Sequence, residues 1–580
     1  MDKASLTDII KSAKGEEKAD LVIKNCHVVN VFSSQIIKAD IAIRDGVIAG
    51  IGSYSGKSEI DAAGAYAIPG LIESHIHIES SFVTPEEFGR MAVPLGTTTV
   101  IADPHEITNV CGLKGFFYMM EAAKNTALDI KFMVPSCVPA TPFEDSGAVL
   151  NSEEIEKVIN NPDVLGLGEL MNYPGVLNCD DEVLNKILLA KKYNKIIDGH
   201  APGVVGLDRQ AYISCGVKTD HECSTIQEMQ ESLQNGMYVE LRDGSACHDL
   251  ENLIPGITKE NSRRLLLCSD DRQPVTFHIK GDINNHLKLC VSKGIDPITA
   301  IQMGSLNAAE CYRLYDRGAL APGLRADIVL VGDLKNFEAK KVFIQGELVA
   351  EDGKYLKEVK RASISDVSGS VKVAGFSRER LTVHLADKKS KCRVHVIEIS
   401  PGSIVTKNSI EEVTTDEEGN FLHDPEKDIS KIAVIERHHK SGNIGLGLLK
   451  NYGIKDGAIA ITIAHDSHNI ICVGTDDAQM ETAVKALIEQ KGGIVLVSKN
   501  KVIERLELPV AGLMSDRDAD WVQEKLAKIN QAAFEILGIN REIEPVSTLC
   551  FMALPVIPEI KITDKGLFDV KEFKFIDILD

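Results

Sequence analysis

The stretch AIPGLIESHIH, residues 67–77, decides the fold, because it is an apolar run that ends in two histidines. A short apolar run of this kind, followed by a helical stretch, is typical of a strand in a βα unit. His75 and His77 are two residues apart, a spacing that places both side chains on one face of an extended chain. Alone, the pair is weak support for a metal site, since buried histidines usually bind backbone groups.

Seven further apolar runs follow this one and are separated by helical stretches. They cover residues 97–105, 130–138, 164–170, 195–202, 218–223, 237–245 and 264–271. Strands that alternate with helices favour parallel βα units over hairpins. Eight strands are the number that closes a (β/α)8 TIM barrel. We therefore predict an α/β fold in which residues 69–317 form a metal-binding barrel.

The segments on either side of the predicted barrel alternate apolar and polar residues and contain Asp-Gly turns. This pattern is typical of short β-strands. We predict that residues 1–68 and 318–357 pair into one small β-sandwich. The barrel pattern ends near residue 358, where a charged stretch, 358–361, indicates a linker. We expect residues 358–580 to form a C-terminal α/β domain.

Polar residues end nearly every predicted barrel strand, and the C-terminal ends of the strands carry the active site in such barrels. Glu169 ends the fourth run, His200 the fifth, His221 the sixth and Asp270 the eighth. Six residues thus converge on one rim: His75, His77, Glu169, His200, His221 and Asp270. Imidazole and carboxylate suit zinc, manganese and iron alike. A carboxylate placed like that of Glu169 could bridge two ions about 3.5 to 4 Å apart.

The composition limits the partners that the protein can have. A formal net charge of -21 disfavours nucleic acid, because phosphate binding requires clustered Lys and Arg. The first twenty residues lack the apolar core of a signal peptide, and no later run approaches the length of a membrane span. The 13 cysteines are scattered singly, which predicts reduced thiols. We expect a cytoplasmic homo-oligomer with a small-molecule substrate and neither a nucleic-acid nor a membrane partner.

Segments along nearly the whole chain resemble one known family. They are PGLIESHIHIESS (69–81), GTTTVIADPHEI (96–107), GLGELMNYPGV (166–176), DGHAPG (198–203), SDDR (269–272), GALAPGLRADIVLV (318–331), ERHHKSGNIGLG (436–447), IAHDSHNIICVGT (463–475) and LPVAGLMSD (508–516). These segments are similar to the bacterial adenine deaminases of the amidohydrolase superfamily. The three C-terminal segments resemble that family and not amidohydrolases in general.

The resemblance implies a two-metal hydrolase that converts adenine to hypoxanthine and ammonia, a reaction of purine salvage. It implies manganese or iron(II) as the metals, with zinc also acceptable. In its terms, His75, His77 and Asp270 hold one ion, and His200 and His221 hold the other. Glu169 stands where cyclic amidases carry a carboxylated lysine. Asp270 would take the proton of the attacking water and pass it to the departing amino group.

Two assignments remain open at this point. Glu79, Glu106 and Glu222 are each candidates to donate to the purine ring nitrogen, or to orient a metal-bound imidazole. His465 and His468 fit either a turn capped by its own Asp and Asn side chains, or a loop that carries the C-terminal domain into the site as part of the substrate-binding surface.

One loop departs from the family pattern, and two rival functions compete with deamination. Adenine deaminases usually show Gly-His-x-Asp after the eighth strand, whereas this chain has Gly-Asp-Ile-Asn at 281–284. The first rival is a cyclic amidohydrolase of the hydantoinase or dihydroorotase kind, against which Glu169 and the extra domain both argue. The second is a barrel scaffold without catalysis. A scaffold would be expected to lack ligands, but all six are present.

Overall fold

The structure, a computed structural model, describes residues 2–245 and 247–580. The chain begins with helix α1 and five strands: α1 (Lys3–Ala13), β1 (Ala19–Asn30), β2 (Gln35–Arg44), β3 (Val47–Gly52), β4 (Gly56–Asp61) and β5 (Tyr66–Pro69). Strands β1, β2 and β3 pair in antiparallel register, and β2 buries the consecutive residues 40–43. Strand β5 runs directly into the first strand of the barrel.

A ring of parallel strands forms the centre of the molecule. Its strands are β6 (Leu71–His77), β7 (Thr97–Ala102), β8 (Asp129–Val134), β9 (Val164–Leu170), β10 (Ile196–Gly199), β11 (Thr219–Asp220), β12 (Tyr238–Arg242), β13 (Leu265–Cys268) and β14 (Asp270–Asp271). Strands β13 and β14 together form the eighth position, and β14 pairs with β6 to close the ring. The amide of Lys218 donates to the carbonyl of Ile197 at 2.8 Å and joins β10 to β11. The predicted (β/α)8 barrel is confirmed.

Helices follow the barrel strands and cover the ring. They are α2 (Pro85–Ala92), α3 (His105–Cys111), α4 (Leu113–Ala123), α5 (Ser152–Glu156), α6 (Tyr173–Leu177), α7 (Asp181–Lys192), α8 (Gly206–Ser214), α9 (Ile226–Gln234), α10 (Asp249–Leu253), α11 (Pro274–Lys280), α12 (Ile283–Ser292), α13 (Pro297–Met303) and α14 (Leu306–Cys311). Local signals start several of them. Thr225 and Glu228 form a capping box at α9, which satisfies backbone amides that the first turn leaves free. Every residue of β6 is buried, as expected for a strand covered on both faces.

The segment after the barrel returns to the N-terminal strands. It contributes β15 (Ile328–Val331), β16 (Ala339–Ile344), β17 (Glu347–Glu351) and β18 (Lys354–Tyr355). Strand β15 pairs with β5 in antiparallel register, so both segments form one nine-stranded sheet. Ile23 and Ile41 share a hydrophobic core with Ile328 and Phe343. The two flanking segments therefore pair, as the sequence predicts.

The C-terminal part combines a large sheet with three helices. It comprises β19 (Lys391–Ile399), β20 (Thr406–Thr414), β21 (Ile429–Ile435), β22 (Ile444–Lys450), β23 (Ala458–Ile461), β24 (Ile470–Gly474), α15 (Asp477–Glu489), β25 (Gly493–Ser498), β26 (Lys501–Glu507), α16 (Ala519–Ala532), α17 (Pro545–Cys550), β27 (Ile560–Thr563), β28 (Gly566–Asp569) and β29 (Lys574–Phe575). Strands β19 to β26 form one eight-stranded sheet in the order β20-β19-β22-β21-β24-β23-β25-β26. This confirms a second α/β unit.

The C-terminal unit lies against the barrel. The amide of Ser515 donates to the carbonyl of Phe82 at 2.8 Å, and Arg90 pairs with Asp520 at 3.2 Å. Among the described residues, no helix combines the length and the apolar character needed to cross a membrane.

Candidate active site

One half of the predicted site lies at the end of β6. His75 and His77 both turn their Nε2 atoms toward one oxygen of Glu169, the penultimate residue of β9. His75 Nε2 lies 3.2 Å and His77 Nε2 lies 2.7 Å from Oε1 of that carboxylate. Asp270 Oδ1 approaches His77 Nε2 to 3.1 Å. The spacing of two residues therefore places both imidazoles beside the fourth- and eighth-strand carboxylates, as the sequence predicts.

The other half of the site faces the second oxygen of the same carboxylate. His200 Nδ1 lies 2.9 Å and His221 Nε2 lies 3.6 Å from Oε2 of Glu169. These two nitrogens are 3.2 Å apart. The carboxylate of Glu169 thus separates two pairs of imidazoles, with one oxygen directed to each pair. This is the arrangement that a bridging ligand between two ions requires.

The polar atoms of this cluster fit divalent metal ions. His75 Nε2 and Glu169 Oε1 are buried and, within the described residues, neither makes a hydrogen bond of acceptable geometry. Buried polar atoms normally find a partner. The ligand atoms of His75, His77 and Asp270 lie within 4.8 Å of one another, and so do those of Glu169, His200 and His221. Cations between these groups would satisfy the orphaned atoms.

Electrostatics keep the two carboxylates ionised. Burial alone would raise the pKa of Glu169, but the charges of His77 and His221 and the hydrogen bond with His200 outweigh it and hold the pKa well below its usual range. Burial likewise opposes ionisation of Asp270, but the hydrogen bond with His77 and the charge of Arg242 lower the pKa of that carboxyl well below its usual range. Both side chains are therefore anionic, as ligands of a cation must be.

Arg242, the last residue of β12, fixes the orientation of the Asp270 carboxylate. Its Nη1 atom donates to Oδ2 of Asp270 at 2.8 Å, which leaves Oδ1 directed at the histidines. The same guanidinium donates to Asp249 at 2.9 Å and to Glu222. Arg242 was not among the site residues predicted from the sequence. Its position at the C-terminal end of the seventh run is the signal that could have found it.

The C-terminal unit reaches into the same site. Glu106, at the start of α3, accepts a hydrogen bond from His465 Nδ1 at 2.6 Å and pairs through its other oxygen with His468 Nε2. The ring of His465 stacks on Phe551, with 4.6 Å between centroids. The side-chain amide of Asn469 donates to the carbonyl of Asp145 in the barrel at 2.8 Å, and its longer local contact, 3.4 Å, is with the hydroxyl of Ser467 and not with a backbone group. Of the two alternatives, the loop into the site is the one observed.

These groups line one pocket between the barrel rim and the C-terminal unit. It is lined by His77, His105, Glu106, Glu169, Met171, His200, His221, Glu222, Arg242, Cys247, Asp270, Asp271, Ile404, His465, Asp466, Phe551, Leu554 and Ile557. Several lining residues were not predicted from the sequence, namely His105, Asp466 and the apolar residues Ile404, Phe551, Leu554 and Ile557. The apolar residues carry no local signal that separates them from core residues.

Two features weighed in the sequence lie outside the cavity. The carboxylate of Glu79 accepts the amide of Ile107 at 3.1 Å, beneath the rim. In the 281–284 loop, Asp282 accepts a hydrogen bond from Thr97 at 2.5 Å, and Arg272 donates to the carbonyl of Gly281 at 2.5 Å. Both features support the scaffold of the site, and neither is among its described walls.

Comparisons with known proteins place the chain among metal-dependent hydrolases. The profile described as "Amidohydrolase family" matches residues 66–349, and that described as "Adenine deaminase C-terminal domain" matches residues 403–574. The profile "Urease alpha-subunit, N-terminal domain" matches residues 6–65.

Curated relatives match over the full length. "Adenine deaminase 2" of Desulfotalea psychrophila is 55% identical over 100% of both chains. "Adenine deaminase" of Ligilactobacillus salivarius is 50% identical over 99% of both chains. The protein of the same name from Clostridium acetobutylicum is 50% identical over 98% of this chain and 99% of its own.

Proposed function

The chain belongs to the adenine deaminase family of the amidohydrolases, and from that premise we propose that it hydrolyses adenine at C6 to hypoxanthine and ammonia. The observation that carries the proposal is the position of Glu169. Its buried carboxylate lies between two pairs of imidazoles, in a cavity that residues of the C-terminal unit help to line. A carboxylate here, in place of a carboxylated lysine, favours deamination over the cyclic amidase alternative.

Metal dependence follows from the family, and the residues of the rim support two ions. We assign His75, His77 and Asp270 to one ion, His200 and His221 to the other, and Glu169 to both. Manganese or iron(II) fits this mixed set, and zinc also accepts it. When bound, the ions would lower the pKa of water enough to supply hydroxide near neutral pH.

Asp270 is the group that we assign to proton transfer. Arg242 occupies Oδ2 at 2.8 Å, so Oδ1 is the oxygen that remains to accept the proton of the attacking water. The same oxygen then passes the proton to the departing amino group. Arg242 fixes the orientation of the carboxylate during both transfers.

His465 and Glu106 are the groups that we assign to the purine ring. Attack at C6 places negative charge on the neighbouring ring nitrogen unless a donor compensates it. Burial would lower the pKa of His465, but the charge of Glu106 and the hydrogen bond to it prevail and raise the pKa to about 9. The imidazole therefore carries a proton at neutral pH. Glu106 accepts the hydrogen bond of Nδ1. Nε2 is therefore the nitrogen that we assign to donate to the purine ring nitrogen.

A substrate panel tests the proposed activity. Purified protein is loaded separately with manganese, iron(II) or zinc, and ammonia release is measured from adenine, guanine, adenosine and a hydantoin. We expect release from adenine with at least one metal. Turnover of another substrate in the panel without any turnover of adenine would overturn the proposal, and ring opening of the hydantoin would favour the cyclic amidase.

We further propose that the protein acts in the cytoplasm as a homo-oligomer, without a nucleic-acid or membrane partner. The net charge of -21 supports the exclusion of nucleic acid. Light scattering on the purified chain tests the oligomeric state, and a monomer would contradict that part.

A further inference from the structure

The segment ERHHKSGN, residues 436–443, connects β21 to β22 and has no role in the site described so far. We call it the ERHHKSGN turn. Among the described residues, none of its side chains lines the cavity. It nevertheless contains buried charged and polar groups that a simple connection between two strands does not need.

Glu436 stabilises the turn by accepting hydrogen bonds from its backbone amides. Its carboxylate is fully buried and accepts the amide of His439 at 2.5 Å and the amide of Ser441 at 2.9 Å. It also accepts the amide of His438 and the hydroxyl of Ser441, the latter at 3.0 Å. A carboxylate that accepts several backbone amides holds a loop in one conformation. The side chains of the next two residues, Arg437 and His438, therefore keep fixed orientations.

Those two side chains hold the loop that carries the site histidines. His438 Nε2 donates to the carbonyl of Ser467 at 2.7 Å. Arg437, fully buried, donates through Nε to the carbonyl of His468 and through Nη2 to that of Ala511 at 3.0 Å. The side-chain oxygen of Asn469 accepts the amide of Arg437 at 3.2 Å. Three consecutive residues of the loop are thus fixed by the turn.

The turn also binds the barrel. His439 Nε2 donates to the carbonyl of Ser146 at 2.7 Å, in the loop that follows β8. Asn443 donates to the carboxylate of Asp145 at 3.1 Å. The side-chain amide of Asn469 also donates a hydrogen bond to the carbonyl of Asp145 at 2.8 Å. The same short turn therefore fixes both the site loop and the barrel loop against which that loop lies.

We propose that the ERHHKSGN turn is the positioning device that sets His465 and His468 against Glu106. Its residues act through the 465–469 loop and, among the described residues, none of them lines the cavity. Misplacement of a catalytic group by about 1 Å can cost about a hundredfold in rate. The inference rests on the proposed function only for its activity readout, since the position of the loop can be measured without turnover.

His438 gives the sharpest test, because its single donor can be removed or restored. His438→Leu removes the donor to Ser467 and leaves a buried carbonyl unpaired, whereas His438→Gln restores an N–H of similar reach. His384→Leu is the matched control, since His384 is exposed in the same part of the chain. Each variant is compared with the wild type for bound metal, kcat, KM and hydrogen exchange of the peptide that covers residues 462–469.

We expect His438→Leu to keep the wild-type metal content, to lose about 10- to 100-fold in kcat/KM for adenine, and to exchange faster at residues 462–469. His438→Gln should recover most of both losses, and His384→Leu should match the wild type. Wild-type exchange and kcat/KM in His438→Leu would overturn the inference, and so would a failure of His438→Gln to recover either. If the wild type does not deaminate adenine, the proposed function fails, but the exchange comparison still decides the inference.

His439 provides a second variant in case His438→Leu does not fold. Its ring lies at the surface and its contact is with the barrel loop. His439→Leu should raise KM and loosen residues 462–469, and His439→Gln should reverse both effects. Wild-type values in both variants would contradict the role of the turn in joining the loop to the barrel.

Discussion

Replacement of Glu169 by glutamine removes one charge from the centre of the site while it keeps the shape of the side chain. In the wild type, Oε1 lies 2.7 Å from His77 Nε2 and Oε2 lies 2.9 Å from His200 Nδ1. An amide offers one carbonyl oxygen and one NH2 group, and the NH2 group cannot bind a cation. One of the two ions that we propose must therefore lose its shared ligand.

The size of the effect follows from the geometry. Loss of a partner outside the coordination shell costs about 10- to 100-fold in metal affinity, so loss of a direct ligand should cost at least the upper value. That is about 2.7 kcal/mol at one ion. Since attack requires both halves of the site, we expect kcat to fall by about a thousandfold or more, which is about 4 kcal/mol in the barrier.

The assay combines elemental analysis of the purified variant with ammonia release at saturating adenine. Glu169→Gln should retain about one ion per chain. Glu86→Gln is the control, since Glu86 is also buried but accepts the amide of Ala362 at 3.1 Å, away from the rim. Glu86→Gln should keep both ions and full activity. Two tightly held ions and wild-type kcat in Glu169→Gln would refute the bridging role.

Three further predictions follow from the same structure. Asp270→Asn should abolish turnover but keep much of the metal, and full activity would remove Asp270 from the mechanism. Arg242→Met should lower kcat about 100-fold and Arg242→Lys less, because only a cation at that position holds Oδ2 of Asp270; equal kinetics in both variants would contradict this. Burial lowers the pKa of Lys561 to about 7 in the folded protein. Between that pH and the ordinary lysine pKa near 10.5, the unfolded chain binds more protons than the folded protein, so the free energy of unfolding should rise with pH across this range. Lys561→Met should lack this rise in urea unfolding, and identical pH profiles of the two proteins would disprove it.

The barrel and its rim could be predicted because the information is local. An apolar run predicts a buried strand, and the polar residue at its end predicts a side chain of the active site. Parallel strands in a barrel end on one rim, so His75, Glu169 and His200 must meet although they are far apart in the chain. The structure brings these residues together as predicted.

The remaining contacts could not be predicted because they join distant segments of irregular backbone. Glu106 and His465 are separated by 359 positions, and only the packing of the C-terminal unit brings them together. Phe551 lines the cavity but has the sequence context of an ordinary core residue. Arg242 could have been found by applying the rule of polar strand ends to the seventh strand.

Turnover of adenine in water enriched in heavy oxygen tests the central claim most directly. Attack of water on C6, with Asp270 as the proton carrier, predicts that each hypoxanthine carries the heavy isotope at C6 and that one ammonia is released with it. Unlabelled product, or loss of adenine without hypoxanthine, would contradict hydrolytic deamination at this site.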